Sequence, residues 1–431
     1  MSAFSGLGRT ELAAKLEELA ARYEEFRARG LRLDMTRGRP SPEQLDLSVG
    51  MLSCVAPEEY AEAGGIDCRN YGGLDGLPAA RSLFAEYLQV QPDEIIVAGN
   101  SSLELMHDAV ALAVSHGVPG GTAPWRELPS VKFLCPCPGY DRHFAICEHF
   151  GIDMVPVDVL ADGPDMDAVE ELAGGDELVK AIWCTPKYSN PTGITYSDRV
   201  VDRLAGLGAK APDFRVFWDN AYAVHDLTDE ARRLKDMMAA CRAAGNADRI
   251  YIFGSTSKVT FAGAGIALLA ASERNIEDFR RHLRVRTIGP DKMNQLRHVR
   301  FLKDMDGIRG HMRKHARILR PRFQAVDEVL RRELGDSAAA EWSKPDGGYF
   351  ISLDVVDGCA RRVVQLCAEA GAKFTPAGAT FPYGRDPRDR NIRIAPTLPP
   401  LEEVCQATEL LAVCVQIAAI EKQFGQHFDV R

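Results

Sequence analysis

From about residue 70 onward the chain repeats one rhythm: a short apolar run, a polar or glycine-containing turn, then a stretch with helical periodicity. Glu94-Ile95-Ile96-Val97-Ala98 leads into Gly99-Asn100-Ser101-Ser102 and a helix predicted from Leu103. Val131-Lys132-Phe133-Leu134-Cys135 precedes Pro138-Gly139-Tyr140, and the run from Val179 to Cys184 enters Thr185-Pro186-Lys187-Tyr188-Ser189-Asn190-Pro191-Thr192-Gly193. Phe214-Arg215-Val216-Phe217-Trp218 stops at Asp219-Asn220-Ala221-Tyr222, and Ile250-Tyr251-Ile252-Phe253 stops at Ser255-Thr256-Ser257-Lys258. Alternation of such strands with helices implies an α/β fold, a largely parallel sheet covered by helices. In sheets of that kind ligands lie beyond the carboxyl ends of the strands. Each turn named here falls at such an end. Loops far apart in sequence are therefore expected to converge, in an order along the sheet that follows their order in the chain.

Residues 10–29 read as an amphipathic helix with Leu12, Leu16, Leu19, Tyr23 and Phe26 on one stripe, Thr10 as its cap and Gly30 as its end. An irregular segment with Thr36-Arg37-Gly38-Arg39, Pro40 and Pro42 follows. After Pro290, roughly residues 292–335 form a long, charged helical stretch, and helices then alternate with strands at 348–353 and 391–395. These last elements are expected to build a smaller α/β domain that the N-terminal residues join. The division expected is 1–50 for the N-terminal segment, 51–305 for the large domain and 306–431 for the small one.

Composition narrows the class. The chain has 431 residues and is 46% hydrophobic, ordinary for a soluble globular protein. A formal charge of −9 without a basic arm argues against nucleic acid or an anionic membrane as partner. The 11 cysteines are irregularly spaced, and Cys135-Pro136-Cys137 is too tight for a zinc pair and lacks a second pair at ligand distance. Cys54, Cys147, Cys184, Cys367 and Cys414 sit in apolar or helical surroundings and read as reduced core thiols. Met1 to Gly6 shows no signal-peptide apolar region. The stretch from Leu410 to Ile420 is interrupted by Gln416 and falls short of the roughly 20 residues a membrane span requires. A reduced, soluble, cytoplasmic protein is expected.

Lys258 changes the picture most. Its motif puts an amine at the end of a buried strand, between small residues, where desolvation penalises the ammonium and leaves a neutral amine able to condense with an aldehyde. Alone, the motif would read as a surface lysine on a loop. The other strand ends argue otherwise. Pyridoxal 5′-phosphate needs an amine, a carboxylate for its ring nitrogen, donors for its phenolate oxygen, an aromatic face and a phosphate cup. Lys258 supplies the amine and Asp219 the carboxylate; Asn190 and Tyr222 can donate to the phenolate oxygen, and Tyr140 offers the face. Asn100-Ser101-Ser102 opens a helix whose free N–H groups and dipole favour a phosphate, and Ser255 and Ser257 add hydroxyls. Singly these motifs are a β-turn, a strand-end turn and a helix cap. Jointly, all at strand ends, they specify the cofactor.

With Asp34 to Pro40, Asn70 to Pro78 and Asn391 to Ile394, these segments resemble the fold-type I, pyridoxal-phosphate-dependent aminotransferases of the aspartate aminotransferase superfamily. More narrowly they resemble the bacterial aspartate aminotransferases of subgroup Ic, over about residues 30 to 395. The resemblance implies a large domain with a mostly parallel seven-stranded sheet and a smaller α/β domain. It also implies ping-pong transamination between amino acid and 2-oxo acid substrates, and a homodimer with shared active sites. Tyr71 matches the tyrosine that reaches the cofactor phosphate of the other subunit. Arg393 matches the arginine that grips the substrate α-carboxylate, and Gly38 a glycine of the substrate pocket, with Arg37 beside it.

One position departs from the family pattern. Relatives carry an arginine in an R-x-G element shortly after the lysine; here the stretch is Gly263-Ala264-Gly265. Either another cation replaces that charge, with Lys187 and Arg37 as candidates, or the phosphate rests more on hydroxyls and backbone. For a second substrate carboxylate the cations on offer are Arg37, Arg39, Arg297 and those between Arg284 and Lys292. The subgroup likeness favours aspartate with 2-oxoglutarate. The rivals are an aromatic or broad-specificity aminotransferase and a carbon–sulfur lyase on the same scaffold. A non-catalytic regulator is disfavoured, because only about 30 residues, mostly one acidic helix, precede the first motif.

Overall fold

Strands Lys132–Cys137, Asp153–Leu160, Val179–Cys184, Arg215–Asp219 and Ile250–Ser255 run parallel and form the centre of an eight-stranded sheet. This is a computed structural model describing residue 4 and residues 6–61, 65–230, 232–335 and 337–425. Met1 to Ala3 and Ser5, in the N-terminal segment read above, lie outside the described residues. Ala267–Ala271 runs antiparallel to both of its neighbours, Ile250–Ser255 and Ile95–Val97, so Ile95–Val97 points the same way as the central five.

Two expectations are corrected. The sheet has eight strands rather than seven, the extra one being the two-residue Gly163–Pro164 turned back on Asp153–Leu160 at one edge. A glycine followed by a proline reads as a turn, and an edge is where a sheet tolerates a proline. Strand order also departs from chain order. Ile95–Val97 lies beyond Ala267–Ala271, at the edge nearest the lysine strand, whereas Lys132–Cys137 lies on the far side of Val179–Cys184. Pairings between strands so distant in sequence leave no periodic trace in it.

Alternation along each strand sorts side chains between two faces. Phe133, Trp183, Phe217 and Phe253 point to one core, with Trp125 and Phe144 from the covering elements. Leu134, Ile182, Val216, Trp218 and Ile252 point to the other. Fully burying each such side chain contributes about 1.5–3 kcal/mol.

A third core joins the two ends of the chain. The stripe Leu12, Leu16, Leu19, Tyr23 and Phe26 packs with Leu319, Val326 and Leu330 and with the helix Leu401–Phe424. That helix is long and apolar enough to cross a membrane, yet 78% of its apolar window is buried, so its composition answers to the core. The first helix, Arg9–Ala28, is capped by Gly8 rather than Thr10, because Glu11 Oε2 accepts from the Gly8 N–H at 2.7 Å. Gly30 follows it with φ 62, as a left-handed stop requires. The charged stretch is two helices, Lys292–Leu302 and Met305–Leu334, divided at Lys303 (φ 67) and Asp304, whose carboxylate accepts from Gly307 N at 2.7 Å. A three-stranded sheet of Ala340–Trp342, Ile351–Val355 and Asn391–Ile394 sets Arg393 opposite Ser352. All 11 cysteines are free thiols.

Candidate active site

Lys258 follows the end of Ile250–Ser255 in a tightly fastened turn. Ser257 N donates to Ser255 Oγ at 2.9 Å, the two serine hydroxyls lie 2.6 Å apart, and Thr256 Oγ1 accepts from Ile266 N at 2.8 Å. The lysine is half-buried, its Nζ 5.1 Å from the centre of the Tyr222 ring and 5.7 Å from that of Tyr349. Burial pushes the Lys258 ammonium below the usual lysine range, and the charge of Asp219 pulls it partly back.

Asp219 pairs in register with Phe253, which sets its carboxylate level with the lysine turn. Its Oδ2 lies 3.0 Å from His143 Nε2, and the His143 ring stacks on Trp183 at 4.3 Å between centres with planes 8° apart. Its Oδ1 is buried with no partner. A buried carboxylate oxygen without a donor is an expensive vacancy, and a protonated ring nitrogen is the kind of group that fills it. Burial raises the phenols of Tyr222 and Tyr140, keeping both as O–H donors.

Arg393 enters from the antiparallel sheet. Its Nη1 donates to Asp141 Oδ1 at 3.0 Å and Asn190 Oδ1 at 3.3 Å, and Nη2 donates to Thr375 Oγ1 at 3.3 Å. Its Nε is buried without a partner, and its Cζ lies 4.9 Å from the Phe350 ring centre. Phe350 in turn touches Gly38: a Cβ there would stand 2.6 Å from the ring. Gly38, Phe350 and Arg393 form one stack.

The cleft thus gathers Lys258, Asp219, Tyr222, Tyr140, Asn190 and Arg393, with Gly38 against its wall. Asn100 also lies beside the lysine loop, where its Oδ1 accepts from Gly265 N at 2.6 Å. The backbone strengthens that clasp, since Ala267 N donates to Gly99 O at 2.6 Å. Ser101 and Ser102 stand at the start of the helix Ser102–His116, where Ser101 makes no side-chain cap bond. Two residues stand apart: Tyr71 is 82% exposed, and Arg37 is exposed on its segment.

Lys187 is corrected as a replacement phosphate cation. Its buried ammonium donates to Asp226 Oδ1 at 2.7 Å and to Ala223 O at 3.0 Å, so its charge is already matched. Two of the carboxylate-binding candidates are also committed: Arg286 pairs with Asp108 at 2.8 Å, and Lys292 Nζ donates to Gly72 O at 2.8 Å.

Sequence reasoning missed His143, Asp141, Tyr349 and Phe350. His143 stands three residues after Tyr140, one helical turn beyond a strand end, and that spacing was its only signal. Tyr349 and Phe350 follow Gly347-Gly348, where any Cβ would meet Tyr188 at 2.3 and 2.7 Å.

The family model described as aspartate amino-transferase matches residues 7–427. A protein of Mycolicibacterium smegmatis is 51% identical over 424 residues, covering 98% of this chain and 99% of its own. The aspartate aminotransferase of Corynebacterium glutamicum is 45% identical over 405 residues, 94% of each chain. The crystal structure of an aspartate transaminase from Corynebacterium glutamicum superposes with a TM-score of 0.95 at 44% identity, covering 98% of this chain and all (100%) of that one. A more distant likeness, of fold alone, is LysN of Thermus thermophilus (TM-score 0.73, 21% identity, 91% of this chain and 94% of that one), solved with N-(5′-phosphopyridoxyl)-L-leucine. The architecture is that of the fold-type I aminotransferases, and the protein is an enzyme of the transaminase class. Within that class the chain belongs to the aspartate aminotransferase family.

Proposed function

We propose that this enzyme transfers the amino group of aspartate to 2-oxoglutarate, with pyridoxal 5′-phosphate held at Lys258. The observation that carries the proposal is a Lys258 amine set against the Tyr222 and Tyr349 rings in the same cleft as Asp219, whose Oδ1 is buried and free. When bound, the cofactor supplies an aldehyde and a protonated ring that withdraws electrons from the substrate α-carbon.

The side chains divide the remaining work. Asp219 Oδ1 would hold the ring nitrogen protonated, while His143 occupies Oδ2 and fixes the plane of the carboxylate. Asn190 Oδ1 accepts from Arg393, which leaves its amide nitrogen free to donate, with the Tyr222 hydroxyl, to the phenolate oxygen the cofactor would bring. Tyr140 covers the ring face. Lys258, biased toward the neutral amine by burial, takes the α-proton and returns it during the exchange of amino and oxo groups. Arg393 receives the substrate α-carboxylate, with Phe350 and Gly38 setting its height. Asn100, Ser101, Ser102, Ser255 and Ser257 form the phosphate cup. The helix Ser102–His116 supplies partial positive charge there in place of the family's arginine. Arg37, exposed beside Gly38, is the candidate for the second carboxylate.

Tyr71 joins the cup of a second copy in a homodimer. Tyr71, Leu52, Val285 (91% exposed) and Ile288 are exposed apolar side chains of the kind a second copy would cover. The free thiols suit a reducing, cytoplasmic compartment. We divide the chain as expected above, at 1–50, 51–305 and 306–431.

A visible-range spectrum of the purified holoprotein, recorded before and after addition of aspartate, tests the reading. The cofactor band should shift with aspartate, and Lys258→Ala should lose the band and nearly all turnover. Retained turnover in that variant removes Lys258 from the reaction. With 2-oxoglutarate as acceptor, phenylalanine or alanine turned over as fast as aspartate would replace the aspartate assignment with a broad one.

A further inference from the structure

A cavity of about 720 Å³ lies between the helix Pro78–Leu88, the loop after Asp219 and the first half of Met305–Leu334. Neither Lys258 nor Arg393 lines it. Arg309, Arg313, Arg317 and Arg320 line one side of it, spaced so that a single helix face carries all four. Arg233 faces them from the loop. Arg309 pairs with Asp306 at 3.1 Å, and Arg320 donates to Leu227 O at 2.7 Å and pairs with Asp229 at 3.8 Å. Among the described residues, Arg233, Arg313 and Arg317 have no ion-pair partner. Lys187 and Lys235 add to the five arginines and Glu86, Asp226 and Asp229 oppose them, so the lining keeps an excess of positive charge in a chain of formal charge −9.

The interior adds a second, independent observation. Tyr87, 5% exposed, lines the cavity with its hydroxyl unpartnered. Trp218 and Met312 supply apolar wall beneath the cationic rim. Guanidinium forks and a phenol O–H donate to oxyanions; an apolar wall favours an organic body between them. Arg313 and Arg317 are separated by about 6 Å along the helix axis and the whole row spans about 16 Å. That geometry suits anionic groups at separate ends of one small molecule.

We propose that this cavity is a second binding site, for a small polyanion carrying two or more phosphate or carboxylate groups. Its wall reaches the candidate active site through adjacent residues. Lys187 and Asn220 both line it; the first shares Asp226 with the Tyr188 hydroxyl (2.7 and 2.6 Å) just before Asn190, and the second follows Asp219. Occupancy therefore bears on the loops that carry Asn190 and Asp219, so the anion modulates turnover.

Calorimetric titration of the holoprotein with pyrophosphate and, separately, with citrate tests the site at constant ionic strength. The holoprotein keeps the cofactor's own phosphate cup filled, and binding is read without reference to the transamination assignment. At least one anion should bind saturably, one per chain. Arg313→Ala with Arg317→Ala should weaken it at least tenfold, Tyr87→Phe should weaken it less, and anion-free turnover should be unchanged in both. The two arms separate a phosphate ligand from a carboxylate one. Heats that never saturate, or saturable binding that the arginine variant leaves intact, overturn the proposal; Tyr87→Phe, a smaller change, keeps the test valid if the double variant fails to fold.

Discussion

Gly38→Ala is a small perturbation with a large expected effect. The backbone at Gly38 lies outside the left-handed region, so alanine meets no conformational penalty and the outcome depends on space alone. The added methyl would stand 2.6 Å from Phe350 Cζ and 2.9 Å from Cε1, well inside contact distance. Phe350 is buried and its ring also packs against the Arg393 guanidinium, so pushing the ring tip away from Gly38 disturbs that contact. Overpacking of this kind costs about 1–3 kcal/mol. If that cost falls on the substrate complex, kcat/KM for aspartate drops about 5- to 150-fold, at about 1.4 kcal/mol per tenfold. Steady-state kinetics should show it mainly as a raised KM, with the cofactor absorbance intact. Phe350→Leu in the same chain should recover part of the loss. A Gly38→Ala enzyme with wild-type KM would refute the stack as a determinant of substrate grip.

Three further outcomes follow from the structure. Asp213 accepts from Lys180 Nζ at 2.7 Å and Trp125 Nε1 at 2.8 Å, all buried; Asp213→Ala should destabilise the fold by about 4 kcal/mol in urea melts, and a loss below about 1 kcal/mol would contradict the burial argument. Burial pushes His315 down to about 3 and His298 down to about 4, so between pH 6.5 and 4 the unfolded chain binds more protons than the folded one. Stability present above pH 6.5 should therefore fall with acidification by about 1.4 kcal/mol per pH unit per histidine, and His315→Gln should flatten the slope of the urea midpoint between pH 7 and 5. Mixing inactive Lys258→Ala copies with Tyr71→Ala copies should restore about a quarter of wild-type turnover through hybrid dimers with one intact site, and no recovery in demonstrably mixed dimers would exclude a shared cup.

What was legible in the sequence depended on local pattern. Short apolar runs ahead of Asn100, Tyr140, Asn190, Asp219 and Lys258 revealed five strands of the sheet and the loops at their ends, because a run buried on both faces cannot hide its composition. The stripe on the first helix was visible for the same reason. Strand order was not, because it depends on Ala267–Ala271 pairing with a strand more than 160 residues away. His143 stayed hidden because a histidine on a half-buried helix looks the same whether it meets solvent, core or a carboxylate. Lys187 looked available because its partner, Asp226, lies on another loop.

The clasp of Asn100 on Gly265, and of Gly99 on Ala267, has a consequence for the order of assembly. The reversed strand must be threaded between an early strand and a late one before the turn around Lys258 can close. During synthesis the ribosome has therefore passed residue 271 before the nascent chain owns a usable amine. The turn around Lys258 closes late, after the sheet has committed.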